Sequence, residues 1–155
     1  MAEQGLSAYS QRELRQLAKA FSLMGDEAID ESREAAGKMA EFARDEIKQA
    51  GYSRQKSAGA VKKTVDGIKV SKSSKTGRLD IGFASQRLSG GGSTQKLWAG
   101  LEFGSNRFKQ FPAYSGRFGR GSRGWFIYPT LRDIQPQLTK RWEEVANTIV
   151  KKWAN

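Results

Sequence analysis

Residues 67–83, GIKVSKSSKTGRLDIGF, decide the fold class of this chain. Apolar and polar residues alternate over 68–72 and again over 79–83, and residues 74–77 between them carry the Ser, Thr and Gly typical of turns. Alternation with a period of two is the pattern of a half-buried strand. The stretch therefore predicts a hairpin of two short strands.

The residues before the hairpin follow a helical period instead. Apolar side chains recur every three or four positions, at Leu14, Leu17, Ala18, Phe21, Ile29, Ala36, Met39, Ala40, Ala43 and Ile47. This spacing predicts helices near 10–22 and 26–50. Gly25 and Asp26 offer a helix stop followed by an N-cap, although one long helix with a local bend is also compatible.

The residues after the hairpin end in a third helix. An apolar stripe with steps of three and four runs through Ile134, Leu138, Trp142, Val145, Ile149 and Trp153. Between hairpin and stripe, 96–103 fits a third strand or a helical turn, and 124–128 a short extended piece before Pro129. The prediction is one α+β domain over 1–155: a helical part (1–52), a small antiparallel or mixed sheet with two flexible loops (67–130), and a C-terminal amphipathic helix (131–155).

Composition restricts the chemistry. The 155 residues include no cysteine and no histidine, which removes disulfides, thiolate chemistry, the commonest metal ligand and the usual general base. We therefore expect no enzyme activity, no catalytic residues, no cofactor and no metal. No apolar run approaches the roughly 20 residues that cross a bilayer, and the N-terminus has no hydrophobic signal core, so we expect assembly in a cytoplasm and no membrane partner.

The net charge of +11 is concentrated in the middle of the chain. Residues 1–52 hold 7 basic and 10 acidic groups, whereas residues 53–78 hold 8 and 1. For the lysines and arginines at 62–78, an exposed face is the expected role. Two glycine-rich segments, 85–94 and 111–124, are expected to be loops, and the second interleaves arginine, glycine and aromatic residues.

The basic loop carries the candidate contacts with DNA or with a partner protein. Its cationic residues are Arg107, Lys109, Arg117, Arg120 and Arg123. They could line a channel through which DNA passes, where attraction to phosphate needs no base recognition. A solvated loop, or one that docks on an acidic neighbour, fits equally well.

Several short motifs occur in a fixed order: Asp80-Ile81-Gly82 in the hairpin, Trp98-Ala99-Gly100-Leu101-Glu102-Phe103-Gly104-Ser105, a basic loop, Trp125 to Pro129, and the final amphipathic helix. Over residues 28–155 this order resembles the minor tail, or neck, proteins of long-tailed bacteriophages of the lambda type. That family has an aromatic-x-x-x-Glu-Phe-Gly-Thr/Ser signature and a Phe-x-x-Pro-Ala start of its last helix. Here the second motif ends in Thr130 instead of alanine, and the loop between the two motifs is longer and more basic.

The resemblance implies a structural subunit of the head-tail connector, neck or tail-completion ring. It implies a sixfold homo-oligomeric ring in the virion, with head-completion or connector proteins on one side and the tail tube or tail terminator on the other, around packaged DNA. The candidate inter-subunit or family-motif positions are Trp98, Glu102, Phe103, Gly104 and Pro129. Glu102, Phe103 and Gly104 could instead be a strand end, with Phe103 in the core and glycine allowing a positive φ.

Other functions remain open. One is a tail-terminator ring that caps the tube, and another is a stand-alone basic nucleic-acid-binding module. A hydrolase that uses carboxylates alone is disfavoured, because only Asp80 and Glu102 lie in the predicted sheet region.

Overall fold

A computed structural model gives the fold, and it describes residues 11–55, 57–71, 77–82, 84–104 and 124–153, without the side chains of Gln11, Leu14, Ala18 and Trp153. Helices α1 (Gln11–Leu23), α2 (Asp26–Tyr52) and α3 (Ala58–Asp66) precede strands β1 (Lys69–Ser71) and β2 (Arg78–Asp80). Helices α4 (Thr94–Phe103) and α5 (Tyr128–Trp153) follow. The predicted α+β class is confirmed, with β1 and β2 forming a two-stranded antiparallel sheet.

The chain divides into two compact units, although the sequence predicts one domain. Unit 1 comprises Met1–Phe42, Val70–Arg78 and Asp133–Asn155, and unit 2 comprises Ala43–Lys69 and Leu79–Arg132. Helices α2 and α5 each contribute one end to unit 1 and the other to unit 2. Each unit has its own hydrophobic core.

The core of unit 1 is made by the predicted helical stripes. Phe21, Ala28 and Ile149 form one buried cluster, and Ala36, Met39 and Trp142 form a second. Leu17 and Val145 pack against both clusters, so the N-terminal stripes and the C-terminal stripe face each other. The predicted stripe positions Leu14, Ala18 and Trp153 lie outside the described side chains.

The helix boundaries of unit 1 follow the sequence signals. Met24 N–H donates to the carbonyl of Phe21 at 3.0 Å, and Gly25 adopts a φ of +112° before α2 begins at Asp26. A positive φ is accessible to glycine at little cost, which explains why the helix ends here. The prediction of two helices, rather than one long bent helix, is confirmed.

The core of unit 2 gathers residues that are distant in the sequence: Ile47, Val61, Val65, Ile68, Leu101, Phe126 and Ile127. Helix α3, which is absent from the sequence-based expectation, supplies Val61 and Val65. The segment 96–103, left open between strand and helix, lies in helix α4. Residues 124–128 form bends and the start of α5, so the extended piece predicted there is wrong and α5 begins three residues earlier than expected.

The glycine-rich segment 85–94 has a defined backbone path. Leu88 N–H donates to Gly92 O at 2.8 Å, Gly91 N–H to Leu88 O at 3.0 Å, and Thr94 N–H to Gln86 O at 2.9 Å. The sequence predicts a flexible loop here, and the structure has a hydrogen-bonded turn that leads into α4. The other glycine-rich segment, 111–124, lies outside the described residues except for Gly124.

Candidate functional site

The buried carboxylate of Glu102 is the centre of the candidate site. Its side chain is fully buried in unit 2, on the last turn of α4. Both oxygens accept hydrogen bonds from the backbone N–H groups of Trp125, Phe126, Ile127 and Tyr128, at 2.8 to 3.1 Å. A buried charge costs several kcal/mol unless it is well paired, so four amide donors explain why a carboxylate is tolerated here.

These four amides lie at the start of α5. The N–H of Leu131 donates to the carbonyl of Ile127, which is the first hydrogen bond of this helix. The first N–H groups of a helix have no partner within it, and the helix dipole adds positive potential there. Glu102 therefore caps α5 from another helix. Pro129, which has no N–H, occupies the first turn, where a missing donor does no harm.

Gly124 allows the carboxylate to approach. It has a φ of +79°, and a Cβ at this position would overlap Oε1 of Glu102 and lie 3.0 Å from its Cδ. Glycine is thus required twice, for the backbone conformation and for space.

Aromatic side chains and an arginine surround the same turn. Phe103 and Tyr128 have ring centroids 5.2 Å apart, and Trp125 and Phe126 meet edge to face at 6.0 Å. The guanidinium of Arg54 lies 5.6 Å from the Trp125 ring and donates from Nη2 to the Trp125 carbonyl at 3.0 Å. These contacts stabilise the turn before α5 in addition to the hydrogen bonds with Glu102.

A second close approach joins the hairpin to α4. Gly82 has a φ of +83°, and a Cβ there would lie 2.5 Å from Cδ1 of Trp98. Trp98 and Ile81 both pack against the core of unit 2. Three of the motifs that carry the resemblance therefore meet in one core: Ile81 and Gly82 directly after β2, the Trp98 to Glu102 face of α4, and the Trp125 to Pro129 turn.

Replacing Gly82 with alanine is expected to destabilise the chain by about 2 kcal/mol, from the strained φ and the overlap with Trp98. Gly91→Ala is the matched control, because Gly91 has a φ of +89° and open space around it. Thermal unfolding of both variants separates the cost of the strained φ from the cost of the overlap with Trp98. Equal losses in the two variants would show that the approach to Trp98 contributes nothing.

The structure describes some of the predicted site residues and not others. Glu102 and Gly104 are buried, and Trp98, Phe103 and Pro129 are half-buried, all in unit 2. Gly104 ends α4 with a φ of +84° while its N–H donates to Gly100 O at 2.8 Å, so the expected positive φ is confirmed but at a helix end, not a strand end. The cationic candidates of the basic loop lie outside the described residues: Arg107, Lys109, Arg117, Arg120 and Arg123.

Sequence reasoning missed Arg54 and Gly124 as site residues. Arg54 follows α2 in a polar segment, and no local pattern distinguishes it from the other basic residues nearby. Gly124 ends a glycine-rich segment, and nothing in that sequence distinguishes it as the glycine that contacts Glu102. Helix α3 had a signal, since Val61, Val65 and Ile68 are spaced by four and three.

Neither a metal cluster nor a membrane span is found among the described residues. Within them, no three Asp or Glu side chains lie close enough to hold a metal ion. In this part of the chain, no helix is long and apolar enough to cross a bilayer. Comparison with family models, with curated proteins and with solved structures finds no match to this chain.

Proposed function

We propose that this chain is a non-catalytic structural subunit of a phage head-tail connector, neck or tail-completion ring. In this role it joins the head-side connector to the tail tube, surrounds the DNA channel and resides in the virion at the junction of head and tail. Its partners are further copies of itself in a ring, which the resemblance makes sixfold, and the connector and tail proteins on either side.

The observation that carries the proposal is the contact between Glu102 and the start of α5. The resemblance rests on the order of several short motifs, among them one around Glu102 and one from Trp125 to Pro129, and order alone is weak support. The carboxylate of the first motif accepts the amides of the second, 23 to 26 residues away. Motif residues that depend on each other in the fold support a shared architecture more strongly than their order alone.

The chemistry of Glu102 also favours a structural role. Among the described residues it is the buried carboxylate, and both of its oxygens are occupied by amide N–H groups. A general acid or base must reach a substrate proton, and a nucleophile needs an open face. A carboxylate enclosed by a helix N-terminus meets neither condition, which supports a structural rather than a catalytic role for Glu102.

Two other functions make different predictions. A tail-terminator ring would have similar chemistry and cap the tail tube. A stand-alone nucleic-acid-binding module is favoured by the basic residues of 53–130, and it would bind DNA as a monomer or dimer, with affinity that falls steeply as salt rises.

Native mass spectrometry with negative-stain imaging of the full chain tests the proposal, with and without duplex DNA and across a salt series. We expect closed rings, either of the chain alone or after addition of connector or tail proteins. A monomer or dimer that ignores those proteins and binds DNA tightly at low salt would contradict the ring and favour the nucleic-acid-binding module.

A further inference from the structure

Three large hydrophobic side chains are left in water among the described residues. Leu23 is 83% exposed, Tyr52 is 52% exposed and Val150 is 45% exposed. Single exposed apolar residues are common, but apolar patches rimmed by polar groups mark interaction surfaces. Leu23 and Val150 belong to unit 1, and Tyr52 belongs to unit 2, where it lines a cavity.

Leu23 and Val150 extend a groove between α1 and α5. Its volume is about 510 Å³, with Ala20 and Ala146 in its apolar lining and Glu13 and Glu143 as its charged side chains. Leu23 comes three residues after Ala20, and Val150 four residues after Ala146, so each lies one helical turn further along the same face. We call this surface, from Glu143 to Leu23 and Val150, the acidic groove.

The groove between α2 and α5 differs because cations as well as carboxylates line it. Lys38 pairs with Glu34 at 2.9 Å, which raises the pKa of Lys38, and Lys152 pairs with Glu31 at 3.4 Å. The guanidinium of Arg141 lies 3.9 Å from the Phe42 ring centroid. Four of the charged residues that line this second groove, Glu31, Glu34, Lys38 and Arg141, therefore have partners within one copy of the chain.

Tyr52 lies at a hollow of about 410 Å³ on unit 2, lined by Gly51, Tyr52, Arg54, Ala58 and Lys62. We call it the basic hollow, since its charged lining residues are Arg54 and Lys62. The Tyr52 hydroxyl donates to Asp66, which raises the pKa of Tyr52. Arg54 is held by Trp125, whereas the side chain of Lys62 is exposed.

We infer that the acidic groove of one copy docks on the basic hollow of a second copy. Leu23 and Val150 then cover Tyr52, and Glu143 faces Lys62. This inference rests on the proposed ring and names its contact. Docking of two acidic grooves on each other would bring like charges together, which disfavours that contact. A contact between two different surfaces passes from copy to copy and gives a ring when the rotation closes.

A charge exchange between two variants tests the contact. Glu143→Lys alone places two cations in the interface, and Lys62→Glu alone places two anions there. Each is expected to raise the concentration needed for assembly at least about tenfold. An equal mixture of the two variants is expected to assemble, because alternating copies restore one Lys–Glu pair at every contact. Native mass spectrometry reads the composition directly.

Glu144→Lys is the matched control, since Glu144 is also exposed and lies on the second groove. It is expected to assemble like the natural chain. Rings of the natural chain that both Glu143→Lys and Lys62→Glu leave intact would overturn this contact and leave the proposed function standing. Single variants that fail without rescue in the mixture would also overturn it. A natural chain that never forms rings, even with connector or tail proteins, would contradict the proposed function itself.

Discussion

Replacing Glu102 with alanine is expected to lower the free energy of unfolding by about 4 kcal/mol, because it removes charge-assisted hydrogen bonds and leaves buried amide donors unpaired. In a chain of this length the loss corresponds to a fall of about 10 °C in the unfolding temperature. Circular dichroism during heating measures it. The effect arises because four N–H groups from Trp125 to Tyr128 share this one acceptor.

The conservative variant Glu102→Gln separates charge from shape. Glutamine keeps one carbonyl oxygen but turns an NH₂ group toward the same donors, so we expect a loss of about 2 to 3 kcal/mol. Glu144→Ala is the control, because Glu144 is exposed and its replacement should cost less than about 0.5 kcal/mol. If Glu102→Gln matched the natural chain in stability, the carboxylate would not be the cap of α5.

Replacing Gly124 with alanine is expected to cost about 3 kcal/mol, from the positive φ and from the overlap of the new Cβ with Glu102. Only the second term depends on the carboxylate. In the Glu102→Ala background the cost of Gly124→Ala should therefore fall by at least about 1 kcal/mol, which is the coupling that a double-mutant cycle measures.

Gly59→Ala is the matched glycine control for this cycle. Gly59 lies in helix α3, and a Cβ there would meet nothing within 4 Å. Alanine is the better helix former, so stability should rise by up to about 1 kcal/mol. If the losses of unfolding free energy in Gly124→Ala and Glu102→Ala were additive, the close approach of Gly124 to Glu102 would contribute nothing to stability.

The Glu102 variants also connect stability with assembly. If α5 starts in the wrong place, the half-buried and buried residues from Trp125 to Leu131 lose their register in the core of unit 2. Assembly of Glu102→Ala should then fail at temperatures where Glu144→Ala still forms rings. Charge variants of the acidic groove should behave differently, with assembly lost while the unfolding temperature stays within about 2 °C of the natural chain.

Local periodicity was enough to predict the long helices and the two strands. The stripe from Ile134 to Ile149 and the stripe from Ala36 to Ile47 are long, so a period of 3.6 stands out and the helices are confirmed. The two short strands were also predictable, because alternating apolar and polar residues flank residues that are typical of turns. Composition alone also shows that this chain has no cysteine and no histidine, so it forms no disulfide and no thiolate.

The conformation of the short apolar runs, in contrast, depends on long-range packing. Residues 96–103 and 124–128 are too few to show a period, and α4 forms where Leu101 enters the core of unit 2 and Glu102 meets the amides before α5. The decisive partners are 23 to 26 residues apart, and no local pattern links a glutamate to amides at that distance. Every residue except proline has a backbone N–H, so the sequence does not show which of these groups bind a carboxylate. Packing alone determines that pairing.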